Sequence, residues 1–166
     1  KTEVVNGTLK IYYDNKGITW KSENKRLRAY VSFKTLEKLD AAAGSHVNVN
    51  GTINTDKFVL HVSSGAGFAG SINATELTAD VSSGAGIKIT GQADKLTVDA
   101  SSGANFKGYD FTADYCNASA SSGADIQVTS NKEISAKASG GADIRYKGTA
   151  LIRDLKTSGG GAVKKA

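Results

Sequence analysis

The residues in this sequence that could do chemistry return in files instead of gathering at one point. Lys88, Lys107, Arg145 and Lys164 each stand four residues after a glycine, with Gln127 at the equivalent place between Lys107 and Arg145. Asp80 and Asp99 each stand four residues before one. Serine pairs recur as Ser63-Ser64, Ser82-Ser83, Ser101-Ser102 and Ser121-Ser122, each followed by Gly-Ala. A file of cations suits an acidic polysaccharide, whose carboxylates or sulfates also repeat. Paired acids suit Ca²⁺ or glycoside hydrolysis, and serines suit acyl transfer.

Most of these chemistries lack their other half. A nucleophilic serine is needed once, not four times, and it needs a base and an orienting acid. The two histidines, His46 and His61, stand singly with no second ligand at metal-site spacing. Ca²⁺ takes six to eight oxygens, and His61 and Ser119, the neighbours of Asp80 and Asp99 in their file, do not supply them. A solvated face is the better reading of those acids. The single cysteine, Cys116, rules out an internal disulfide framework and a Cys-based zinc site, and its apolar surroundings read as core. The glycines have no helix after them to hold a phosphate. The expectation is a protein without catalytic residues, metal or cofactor. The cation file keeps two readings. Asp125 is within reach of Lys107 or Arg145, which makes an internal ion-pair ladder. Alternatively Lys88, Lys107, Arg145 and Lys164 contact a polyanion or glycan.

Whatever these residues do, a repeat positions them. Ser-Ser-Gly-Ala returns in full at Gly65, Gly84, Gly103 and Gly123, and in altered form around Gly44, Gly141 and Gly160. Successive reference glycines are 21, 19, 19, 20, 18 and 19 residues apart. A period near 20 is the mark of a repeat architecture. Within each copy the apolar residues alternate with polar ones, as in Phe58, Leu60, Val62 or Leu96, Val98, Ala100, and Phe68, Ile87, Phe106, Ile126 and Ile144 follow their glycines by three. Alternation of this kind means strand.

One repeat is too small to bury its apolar face, so copies must stack, with equivalent strands pairing in parallel. The predicted fold is all-β: a single-stranded, right-handed parallel β-helix of about seven rungs, 19–20 residues each, roughly 30 Å long at a strand spacing of about 4.8 Å. Each rung is expected to hold two or three short strands, with polar turns such as Thr90-Gly91-Gln92 and Thr129-Ser130-Asn131-Lys132. The corner glycines Gly65, Gly84, Gly103, Gly123 and Gly141 are structural. Buried corner serines could hydrogen-bond from rung to rung.

The length suits one domain over 1–166, with irregular first rungs or a cap over 1–40 and the repeat region over 41–166. Val4-Val5-Asn6-Gly7-Thr8-Leu9 reads as strand, turn, strand. Asp14-Asn15-Lys16-Gly17 reads as a turn, Ile18-Thr19-Trp20 as a strand, Lys21 to Arg28 as a basic loop, and Tyr30-Val31-Ser32-Phe33 as a strand. The aromatic residues gathered here suit a cap, or else a ligand-binding patch. Net charge is +5, with basic ends and an acidic middle. Basic strand edges discourage end-to-end aggregation, and no aromatic-and-basic stripe supports nucleic-acid binding. No signal peptide or transmembrane run is present, and the Asn-x-Ser/Thr triplets are those that chance places in such a composition.

Asn6-Gly7-Thr8-Leu9-Lys10-Ile11, the serial Ser-Ser-Gly-Ala copies and the ending Tyr146-Lys147-Gly148-Thr149-Ala150 followed by Ser158-Gly159-Gly160-Gly161 resemble the auto-transporter adhesin "head GIN" domain family of Bacteroidetes. The resemblance covers nearly the whole chain. It implies a β-helix on a secreted or envelope-associated protein, adhesive or structural and not enzymatic, with surface glycans or envelope proteins as partners. It also implies an export signal ahead of Lys1. Family members commonly have Gly-Asn-Pro where this chain has Gly148-Thr149-Ala150. The family defines no catalytic or ligand residue to carry over.

Overall fold

The computed structural model describes residues 1–13 and 27–166. Contacts divide the chain into two compact units, Lys1–Lys34 and Thr35–Ala166. In the first, β1 (Thr2–Val5) and β2 (Thr8–Ile11) pair antiparallel around Asn6-Gly7, both with positive φ, as the Asn-Gly signal predicts. Tyr30–Phe33 is irregular instead of a strand; all four residues are exposed, so their alternation has no core to face. The readings of Asp14–Trp20 and of Lys21–Arg26 fall outside the described residues.

The second unit is a parallel β-solenoid. Its strands are β3 (Lys38–Ala41), β4 (His46–Val62), β5 (Gly67–Val81), β6 (Gly86–Ala100), β7 (Asn105–Ala120), β8 (Asp125–Ala138), β9 (Asp143–Lys147), β10 (Leu151–Thr157) and β11 (Ala162–Lys165). Each of β3 to β8 pairs in parallel with the next in sequence. The last turn is divided: β9 covers the first part of β8, β10 the second, and β11 lies on β9.

Two consecutive left-handed residues make each corner. Ser64 has φ 52° and Gly65 φ 70°, and the Ala66 amide donates to the Ser63 carbonyl at 3.1 Å. These are the marks of a type I′ turn. The pattern returns at Ser83-Gly84, Ser102-Gly103 and Ser122-Gly123, and with Ala43-Gly44, Gly140-Gly141 and Gly159-Gly160 at the altered copies. The corner glycines are structural, and the serine before each of Gly65, Gly84, Gly103 and Gly123 shares their positive φ. The expected hydroxyl ladder is not what joins the corners. The second serine of each pair is exposed, and among the described residues no corner hydroxyl is hydrogen-bonded. Backbone bonds do the joining: the amides of Gly65, Gly84 and Gly103 donate to the carbonyls of Ser83, Ser102 and Ser122, each at 3.0 Å.

Between corners the ladder is nearly continuous, 14–17 residues per strand in β4 to β8, where two or three short strands per rung are expected. The supposed turns at Thr90–Gln92 and Thr129–Lys132 lie within β6 and β8. Gly91 explains how a strand bends without breaking. At φ 113° it lets its rung turn while Ser71, Ile72 and Asn73 stay paired to Thr90, Gly91 and Gln92, and a Cβ there would strike the Ile72 carbonyl oxygen.

Alternation then fills the interior with columns. Phe58, Leu77, Leu96, Cys116 and Ile134 stack in register, as do Phe68, Ile87, Phe106, Ile126 and Ile144, and all are buried. Among the described residues Ser130 is the one buried polar side chain. Its hydroxyl donates to the Glu133 carbonyl at 2.9 Å, which offsets its desolvation.

Candidate functional site

Parallel register turns the cation file into a physical column. Asn48, Ala69, Lys88, Lys107, Gln127, Arg145 and Lys164 are successive partners on one outward file, so Lys88 and Lys107 stand about 4.8 Å apart. Two residues earlier along each strand runs a second file of His46, Gly67, Gly86, Asn105, Asp125, Asp143 and Ala162.

These two files divide the column into unlike halves. Arg145 Nη1 lies 3.2 Å from Asp125 Oδ2 and its Nη2 lies 3.7 Å from Asp143 Oδ2. The predicted diagonal pair therefore forms with Arg145 and not with Lys107. Lys88 and Lys107 are exposed, and among the described residues neither side chain has a hydrogen bond or ion pair. Lys164, also exposed, sits on the last strand, β11.

Beside Ala69 and Lys88 the second file drops to glycine, and beside Lys107 it holds Asn105. The result is a shallow groove of about 360 Å³, lined by His46, Asn48, Ala69, Lys88, Asn105 and Lys107 and floored by Gly67 and Gly86. No carboxylate lines it. The His46 ring lies over Gly67, where an added Cβ would sit 3.0 Å from its Cδ2. His46 Nδ1 is 3.1 Å from the Gly44 carbonyl oxygen, so Nδ1 donates, and in the neutral ring Nε2 is the acceptor. Sequence reasoning found the lysines but missed the glycine floor. The signal was present: the position two after each reference glycine reads Gly67, Gly86, then Asn105.

The other polar candidates lie on a file of their own. Asp40, His61, Asp80, Asp99, Ser119, Lys137 and Lys156 form one outward file. His61 Nε2 is 3.4 Å from Asp80 Oδ2, which turns part of the acid column into an ion pair when His61 is protonated. No group of three or more His, Cys, Asp or Glu that could hold a metal occurs among the described residues. Cys116 is buried, and burial pushes its thiol up to about 12. Elsewhere on the solenoid some cations have partners: Lys57 with Glu76 at 3.2 Å, Lys132 with Asp114 at 2.7 Å, and Lys147 4.2 Å from the centre of the Tyr109 ring. The exposed Lys95 and Lys137, like Lys88 and Lys107, have no ion pair among the described residues. The hydrogen bond to Asp114 holds the Lys132 ammonium above its ordinary pKa.

Residues 1–150 match the sequence model of a family described as "Putative auto-transporter adhesin, head GIN domain". None of the curated proteins matches the chain. A solved "putative adhesin" from Bacteroides fragilis NCTC 9343 is similar in fold, with a TM-score of 0.81 and 19% identity over 100% of this chain and 76% of its own. A "putative lipid binding protein" from Parabacteroides distasonis ATCC 8503 has a TM-score of 0.61 at 17% identity, covering 79% of this chain and 62% of its own. A "putative adhesin" from Parabacteroides merdae ATCC 43184 has a TM-score of 0.60 at 14% identity, with 78% and 63% covered. The chain thus spans less than two thirds of both Parabacteroides proteins. At these identities the likeness is one of fold, and folds host many functions.

Proposed function

The chain belongs to the auto-transporter adhesin, head GIN domain family, and on that premise we propose that it is an exported, non-catalytic surface module that binds acidic polysaccharide. One observation carries the reading: Lys88 and Lys107 stand in register, exposed and unpaired among the described residues, at a groove without carboxylates. Repeated cations on a rigid stack match repeated carboxylates or sulfates on a glycan. Glycan processing would need an acid–base pair at the bound sugar, and the groove lining offers no carboxylate for it. The interior that a lipid chain would need is filled instead by side chains such as Phe58, Phe106 and Phe111, which are fully buried. No helix of the described residues is long and apolar enough to cross a membrane.

The test is retention on immobilised heparin or alginate. The parent should be held at low salt and released as salt rises, because exposed charges are screened within about 10 Å at 0.1 M. A Lys88, Lys107, Arg145 triple-Ala variant should elute earlier. Co-elution of the two proteins would reduce the column to ordinary surface. Hydrolase and lyase assays on the same glycans should give nothing above background.

A further inference from the structure

A charged column alone attracts any polyanion. The groove adds shape. His46 and Asn105 stand three rungs apart in one file, about 14 Å at strand spacing, and between them Gly67 and Gly86 present backbone where the other rungs of that file carry side chains. Lys88 and Lys107 border this floor on one side, with Ala69 between Asn48 and Lys88. The volume of about 360 Å³ lies at the lower end of small-molecule sites, roughly 300–1,000 Å³.

We infer that this glycine-floored groove is a seat for a single acidic sugar residue of a longer chain, and the inference rests on the polysaccharide reading above. The sugar carboxylate or sulfate lies against the Lys88 and Lys107 ammonium groups. The flat C–H face of the ring lies on the open Gly86 backbone, beside the His46 ring that covers Gly67. Ring hydroxyls donate to His46 Nε2 and exchange hydrogen bonds with the Asn105 amide. The groove is open to solvent, so linked sugars continue out of it. Recognition then depends on the floor as well as on the charge, and a neutral glycan of the same shape is rejected because it leaves two lysines unmatched.

Gly86 makes the two contributions separable. Its φ lies outside the left-handed region and an added Cβ would meet nothing within 4 Å. Gly86→Leu therefore fills the groove while leaving every charge in place, and Gly86→Ser, a smaller obstruction, is a second variant should leucine perturb folding. Binding of a defined oligomannuronate is measured by calorimetry on the full chain, with thermal melts as the folding control. The expected result is at least a tenfold loss of affinity for Gly86→Leu and for Lys88→Ala/Lys107→Ala. A neutral mannan oligomer should not bind, and heparin retention of Gly86→Leu should fall less than that of the lysine variant. If Gly86→Leu binds within twofold of the parent while Lys88→Ala/Lys107→Ala does not, the seat is overturned and the charged column stands. If neither variant weakens binding, both readings fall. If the parent binds anionic phospholipid vesicles and not the oligomannuronate, the occupant is a lipid surface and the seat is overturned.

Discussion

Arg145 Nη1 lies 3.2 Å from Asp125 Oδ2, across one rung and diagonally along the strand. That contact separates two kinds of cation in one column. Arg145 is neutralised by Asp125 of the preceding rung and Asp143 of its own, whereas Lys88 and Lys107 have Gly67, Gly86 and Asn105 where the later rungs have Asp125 and Asp143. Arg145→Ala should consequently lower heparin retention less than Lys107→Ala. Changing Asp125 and Asp143 to Asn together should raise it, at a stability cost under about 1 kcal/mol for each half-exposed pair. Equal elution of the Arg145→Ala and Lys107→Ala proteins would refute this division.

Ile126 is fully buried between Phe106 and Ile144 in the middle of its column. Ile126→Asp places a carboxylate there without a partner, and should cost about 4 kcal/mol or more. The urea midpoint measures it. A midpoint equal to the parent's would mean the side chain does not point inward.

Ser102 tests the corner. Its φ of 54° is tolerated by asparagine and resisted by β-branched residues. Ser102→Asn should melt within about a degree or two of the parent, while Ser102→Val should lose on the order of 1–3 kcal/mol. Ser102 is exposed, so a loss on valine substitution reports backbone strain and not lost packing. Equal melting of the two variants would mean the corner relaxes freely.

Cys116 gives a pH signature. Its thiol is raised from 9.0 to about 12 by burial, so the folded chain keeps the proton that the unfolded chain releases. The associated stability is fully present below about pH 9 and is lost as pH rises toward 12. Cys116→Ala, though less stable overall through its cavity, should have a flatter denaturation midpoint over that window. The native thiol should also resist iodoacetamide at pH 8 and react once urea unfolds the chain, because the thiolate is the nucleophile. Rapid modification of native protein would contradict the burial.

The sequence alone determined the repeat, the inward columns and the order of the cation file. A period near 20 with alternation of two leaves parallel stacking as the way to bury residues such as Leu77, Leu96 and Ile126. The Asn6-Gly7 turn was legible for a similar reason, since turn chemistry is local. Tyr30–Phe33 shows the limit: alternation marks a strand only if another strand and a core lie beside it. The bends at Thr90–Gln92 and Thr129–Lys132 read as turns that end strands, because a polar segment looks the same whether or not its backbone stays paired. Only the tertiary structure decided that Ser64 and its copies share positive φ with the glycines, since φ depends on how the corner closes onto the next rung. It also decided which cations are free. Asp125 was within reach of both Lys107 and Arg145 by register, and only side-chain geometry assigns it to Arg145. The groove itself arises between rungs, where Gly67 and Gly86, nineteen residues apart in the chain, become neighbours across a single ladder of backbone hydrogen bonds.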